Sequence, residues 1–392
     1  MNTRRQFLID GLRVSAALPF LAGTGPRLFP REAREERVLV VVQLTGGNDG
    51  LNMVVPHRQD AYFRLRPTLS QDPRKLHPLD GDHGLHPSMG GLAELYGEGL
   101  VAVVHGVGYP GADRSHFRSM EVWHTGDPDH PAGDVGWLGR LADQVAAEDA
   151  TGLPALQIGG GSLPLALWAR STFTPSVRDA SGFRLEGSAR FAKARGRVLG
   201  IERRGTEAFL AEAARVSYDA AERMARSADR PSKVEYPGSG FARGLRLIAR
   251  LVESRFGTRI FHIELGGFDT HSRQAPAHAD LLRTLSSALT AFLRDLEASG
   301  VAGDVATLVF SEFGRRVQEN GSRGTDHGQG APVFVLGGGV RGGMYGTPPD
   351  LTHLVEGDVP TTTDFRSVYA ALEKDWLGLT PSSSLRALPL VT

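Results

Sequence analysis

The chain has 392 residues, 41% of them hydrophobic and 22% charged, with 44 basic and 44 acidic side chains. That length can bury a large core, and the zero net charge excludes a general electrostatic affinity for nucleic acid or an anionic membrane. The absence of cysteine excludes disulfides, thiolate metal sites and a cysteine nucleophile, so any metal must be held by oxygen and nitrogen.

Residues 1–36 read as a targeting segment and linker. Arg4-Arg5 followed by Gln6-Phe7-Leu8 resembles a twin-arginine export signal. The modestly apolar stretch Val14–Leu28 is broken by Pro19 and Pro26 and is too short for a membrane span. A cut between Ala22 and Glu36 would leave a periplasmic or secreted protein, with the twin-arginine translocase as a partner during export.

From residue 37 the sequence predicts one α/β domain running to 392. Arg37–Leu44 is a continuous β-branched run, the pattern of a strand buried on both faces of a parallel sheet. It ends in the Gly-rich turn TGGNDGLN. Leu100–His105 predicts a second buried strand, followed by GVGYPGADRSHF and a helix through Trp123. Pro154–Ile158 and Leu163–Trp168 predict two shorter strands around GGGS. Val177–Gly240 is charged and Ala-rich, and reads as a helical insertion over the sheet. Within it, Thr206–Arg226 spaces Phe209, Ala213, Val216, Ala220 and Met224 as one apolar helix face. The pattern then returns to helix (Phe241–Phe256), strand (Thr258–Leu265), helix (Ala279–Ser299), strands (Val305–Phe310 and Pro332–Leu336) and a final helix (Thr362–Lys374). This alternation predicts a doubly wound, mostly parallel central sheet with helices on both faces.

In such folds, sites form beyond the carboxyl ends of strands. The polar residues just after predicted strands are Asp49, Ser115 with His116, Asp269 with His271, Glu312, and Asp326 with His327. Carboxylates mixed with imidazoles suit zinc, manganese, magnesium or calcium. Asp269 and His271 stand at i and i+2, so an extended backbone points both at one ion. Asp326 and His327 are adjacent. A strand would face them two ways, whereas the turn between Gly324 and Gly328 would let them converge or serve two neighbouring ions. Each residue also has an ordinary structural use. N-D-G is turn chemistry, Ser115 is placed to cap a helix, D-x-H suits an Asx-turn, and Glu312 has Arg315 and Arg316 nearby as ion-pair partners. Of the other histidines, His57, His77, His83 and His86 are expected in solvent and His262 in the packed interior. His105 and His353 are remoter candidates.

The twin-arginine start, VVVQLTGGNDGLNMVVP, DRSHF, GGFDTH, SEFGR and GTDHGQG together resemble a large family of twin-arginine-exported bacterial proteins that carry a domain of unknown function. That family is grouped with the alkaline phosphatase and sulfatase-like clan, and the resemblance runs from about Arg37 to the final helix. It implies an alkaline phosphatase-like fold and a metal-dependent hydrolase of phosphate or sulfate esters. In that scheme Asp49, Asp269, His271, Asp326 and His327, with Glu312 beside them, hold one or two divalent ions. Ser115 is the nucleophile, with His116 next to it, and Arg114 or Arg118 neutralises the transferred group. The chain departs from the clan's pattern at Gln43, which stands where the clan commonly has its first aspartate, and in its short Asp-to-His spacing. These departures leave a non-catalytic, ligand-binding member of the fold as the alternative.

Overall fold

The computed structural model describes residues 37–148, 153–178, 207, 211, 214–215, 222–227 and 230–392. The export signal and most of the helical insertion expected over Val177–Gly240 lie outside the described residues.

Among the described residues, nine strands form the main sheet: β1 (Val38–Thr45), β2 (Val101–Gly108), β3 (Ala155–Ile158), β4 (Ser176–Val177), β5 (Ile260–Gly266), β6 (Val305–Ser311), β7 (Ala331–Leu336), β8 (Gly343–Tyr345) and β9 (Thr363–Asp364). Their order is β8-β2-β7-β6-β1-β5-β3-β4, with β9 also on β2. All pairings are parallel except those of β7, which runs antiparallel to both β2 and β6. The run VLVVVQLT becomes the central strand because both of its faces are covered. Val38, Val40, Val42 and Leu44 enter one core and Leu39 and Val41 the other. Helices α1 (Gly90–Gly97), α4 (Gly240–Glu253) and α5 (Gln274–Ala298) contribute buried residues to the first core. Helices α2 (His116–Thr125), α3 (Trp137–Glu148) and α6 (Phe365–Ala370) cover the second. The fold is therefore α/β with helices on both faces, as the alternation predicts.

Four local expectations change. Leu163–Trp168 is not a strand. Its only regular piece is one 3-10 turn, Leu165–Leu167, and the carbonyls of Leu165 and Trp168 press on Gly136 and Gly139 beside α3. Apolar periodicity cannot separate such a packed turn from a short strand. The last helix begins at Phe365 rather than Thr362, because Thr363 and Asp364 pair with β2 and the Asp364 carboxylate accepts from Arg366 N. Helix α5 begins at Gln274, ahead of Pro276, since proline is tolerated in a first turn. A three-stranded piece joins Val54–Val55, His77–Pro78 and Gly84–Leu85. It buries His83 and His86, contrary to the expected solvent exposure, and His83 Nδ1 lies 3.1 Å from Asp80. No helix among the described residues is long and apolar enough to cross a membrane.

Candidate metal centre

The loops that leave β1, β2, β5 and β6 meet at the carboxyl edge of the sheet. Those after β1, β5 and β6 are shaped by close backbone approach. Gly46, at φ +121°, leaves no room for a Cβ, which would stand 2.4 Å from Asp269 N. Gly324 has the same restriction against His271 C at 2.2 Å. Arg315 ties these loops together. Its side chain is fully buried and donates to the carbonyls of Gly46, Gly47, Phe268 and Thr325, and to Asp269 Oδ1 at 2.7 Å.

Asp269 Oδ1 is the centre of the arrangement. His271 Nε2 lies 3.0 Å from it, His327 Nε2 3.2 Å and His116 Nε2 3.5 Å. His271 Nε2 and His327 Nε2 are 2.9 Å apart. The ligand atoms of His116, Asp269 and His327 all fall within 4.8 Å of one another. The D-x-H pair thus points one way, as its spacing predicts.

Each imidazole is held from behind at Nδ1. His116 Nδ1 donates to Glu312 Oε1 at 2.8 Å, His271 Nδ1 to Asp326 Oδ1 at 3.2 Å, and His327 Nδ1 to the Arg114 carbonyl at 2.8 Å. All three partners are pure acceptors, so the proton sits on Nδ1; the tautomers are assigned from this network. All three Nε2 lone pairs then face the Asp269 carboxylate oxygen; those of His116 and His327 form the mutually close group with it, and His271 Nε2 joins from the side of His327. Acceptors crowd together in this way only around protons or a cation, and a carboxylate or carbonyl behind each imidazole is the usual support of a metal-binding histidine. The donor set of three imidazoles and one carboxylate fits a divalent transition metal better than calcium or magnesium, which favour oxygen ligands.

The electrostatics agree with this layout. Burial works against ionisation of Asp269, but the hydrogen bond and charge of Arg315, with the His327 and His271 imidazoles beside it, outweigh it and pull its carboxyl down to about 2. The hydrogen bond to Glu312 raises His116 above the ordinary imidazole value. Glu312 is held below its usual range: burial opposes this, and the bonds from His116 and the backbone N–H groups of Gly46 and Gly47 prevail. Asn320 Nδ2 donates to Asp326 Oδ1 at 3.0 Å and lowers that carboxyl.

Several expected ligands stand elsewhere. Asp49 is buried, and its Oδ2 accepts from Arg66 Nη1 at 2.6 Å and Gln274 Nε2 at 2.5 Å. Its charge is therefore spent on the interior, and N-D-G could not reveal this because Arg66 and Gln274 are remote in sequence. Glu312 and Asp326 hold His116 and His271 rather than reaching the Nε2 cluster. Asp326 and His327 diverge because the segment is extended there: Arg316 N donates to the Asp326 carbonyl, and Arg315 and His327 form a bridge. Neither arginine next to Glu312 pairs with it. Arg114 donates to Asp358 and Glu356, so its guanidinium is not free for a substrate anion; its carbonyl holds His327. His353 pairs with Asp350 in solvent, and His262 is buried against Gln43. Ser115 is the N-cap of α2, half-buried, and its side chain makes no capping hydrogen bond. Sequence reasoning placed His116 at this helix start but did not give it a ligand's part. It gave Arg315 only as an ion-pair partner for Glu312, whereas Arg315 pairs with Asp269, and it missed Asn320.

The family described as "Protein of unknown function (DUF1501)" matches residues 81–380. No curated protein matches the chain. Among solved structures, the C-terminal periplasmic domain of EcEptC from Escherichia coli is similar, with 11% identity, coverage of 88% of this chain and 83% of that one, and a TM-score of 0.38. PsFucS1 sulfatase from Pseudoalteromonas sp. gives 12% identity, 90% and 70% coverage, and a TM-score of 0.39. A protein in the alkaline phosphatase superfamily from Vibrio parahaemolyticus gives 13% identity, 79% and 62% coverage, and a TM-score of 0.35.

Proposed function

The chain belongs to the DUF1501 family, and for it we propose an exported, metal-dependent hydrolase acting on a phosphate or sulfate ester. The observation that carries this reading is the convergence of His116, His271 and His327 Nε2 on Asp269 Oδ1, each imidazole fixed from behind. These four side chains would hold one divalent ion. With Asp49 committed to Arg66, the described residues assemble no separate set for a second ion.

A bound ion would supply Lewis acidity toward the ester oxygens. The chain supplies the rest. Ser115 stands one residue before His116 at the positive end of α2, with its hydroxyl free of capping duty. Its oxygen bonds to phosphorus or sulfur as its proton passes to water, the bond to the leaving oxygen breaks and that oxygen takes up a proton from water, and a further water hydrolyses the serine ester and restores the hydroxyl. Glu312, Asp326 and the Arg114 carbonyl keep the imidazoles oriented throughout. The export signal at Arg4-Arg5 would deliver the protein to the periplasm or beyond.

A second reading is favoured by one feature. Four protein ligands fill a tetrahedral site, and filled sites are structural more often than catalytic. The chain would then be a metal-stabilised binding protein. Metal analysis combined with a screen of aryl phosphates and sulfates separates the readings. The hydrolase predicts metal-stimulated turnover that Ser115→Ala abolishes. Bound metal with no turnover on any ester favours the binding protein, and no bound metal removes both.

A further inference from the structure

Away from the metal centre, residues 222–227 are helical, and Arg223, Arg226, Ser227 and Arg230 follow at i, i+3, i+4 and i+7. Within the helix, Arg223, Arg226 and Ser227 stand at i, i+3 and i+4 and so share one side of it. With Ser254 and Phe256 they line an open pocket of about 280 Å³. No carboxylate lines it among the described residues. Arg230 N donates to the Ser227 carbonyl at 3.2 Å, and the side chains of Arg226 and Arg230 have no hydrogen-bond or ion-pair partner among the described residues. Arg223 donates to the Phe256 carbonyl, and its guanidinium carbon lies 4.6 Å above the Phe256 ring centroid. At the pocket wall, Ser227 Oγ is 2.9 Å from Ser254 Oγ, and Ser227 is buried.

Three arginines line the pocket and no carboxylate is among its described lining residues, a surface that suits an anion. Guanidinium forks match the paired oxygens of phosphate and sulfate, while the hydroxyls of Ser227 and Ser254 donate to the Arg223 and Leu251 carbonyls and pack the wall. We propose that this pocket binds a tetrahedral oxyanion, a phosphate or sulfate group, whether free or carried on a polymer. It is separate from the metal centre. Ser254 and Phe256 precede the amino end of β5, whereas Asp269 follows its carboxyl end, and a seven-residue strand spans roughly 20 Å.

The test uses the full chain with a chelator present, so that the metal centre contributes nothing. Calorimetry is run with inorganic sulfate, with pyrophosphate and with heparin as a sulfated polymer. The R226Q/R230Q double variant is expected to bind at least about tenfold more weakly, and higher salt to weaken the wild type. Because both arginines are exposed, folding is checked by circular dichroism, and R230Q alone serves as the milder variant. Binding of the small anions that the variants lose marks a site for free oxyanions. Binding of heparin alone, lost in the variants, marks a polymer-borne group. No binding of any probe, or equal binding by wild type and the double variant, overturns the proposal.

Discussion

Replacing Asp49 by Asn separates a structural carboxylate from a metal ligand. In the fold the Asp49–Arg66 pair is sealed, with side-chain exposures of 1% and 0%. Removing one partner of a buried pair costs about 3–5 kcal/mol because the other charge is left uncompensated. Arg66 would keep three neutral acceptors, the carbonyls of Val317 and Arg316 and the Oδ1 of Asn52. The cost should therefore fall near the lower end, about 3 kcal/mol. With an unfolding entropy of about 2.1 cal/mol/K per residue over 392 residues, the melting temperature should drop by about 4 °C, while bound metal per chain stays unchanged. The pH dependence has a definite sign. Burial pushes the Asp49 carboxyl up, but Arg66 pulls it down further, so its folded value lies below the ordinary one. Its stabilisation is present above an unfolded value of about 3.9 and is lost as pH falls through the folded value. The gap between wild type and variant should close below about pH 4. Calorimetric melts from pH 3 to 7, with metal analysis of the same samples, make the measurement. Loss of the metal with no change in melting temperature would refute the structural assignment of Asp49.

Glu312→Gln keeps an acceptor for His116 but removes the charge behind it, so metal affinity should fall about 10-fold, and Glu312→Ala should approach 100-fold; competition with a chelating dye reads both. His327→Ala should abolish stoichiometric metal binding, and retention of one ion per chain in this variant would contradict the ligand set. Gly46→Ala places a Cβ 2.4 Å from Asp269 N. It should destabilise the fold by more than about 2 kcal/mol and weaken metal binding, measured by denaturant melts with and without added zinc. Ser115→Ala should leave metal content and stability within error while removing any esterase turnover.

The strands and their order of use were legible because burial on both faces writes a plain signal. VLVVVQLT and LVAVVH could hardly be anything but interior strands, and their alternation with amphipathic helices fixes the α/β class. The short strands Ser176–Val177 and Thr363–Asp364 carry no such signal, because two residues have no period. The centre was legible in part. Placement after strands pointed to Asp269, His271 and His327, and the D-x-H spacing predicted their shared direction. What the sequence hid is the division of labour. Whether a carboxylate faces the centre or backs an imidazole depends on loop geometry set by Arg315, Gly46 and Gly324, which meet only in the fold. Asp326 illustrates this: the extended backbone at 326–327 turns neighbouring side chains apart, and one carboxylate becomes a support.

The most direct test of the centre is a crystal structure of the full chain grown with zinc, with anomalous data collected across the zinc edge. The account predicts a single strong peak among His116 Nε2, His271 Nε2, His327 Nε2 and Asp269 Oδ1, at bonding distances of about 2.0–2.2 Å. A peak ligated by Glu312, Asp326 or Asp49 instead, or no peak while the three imidazoles keep these positions, would contradict it.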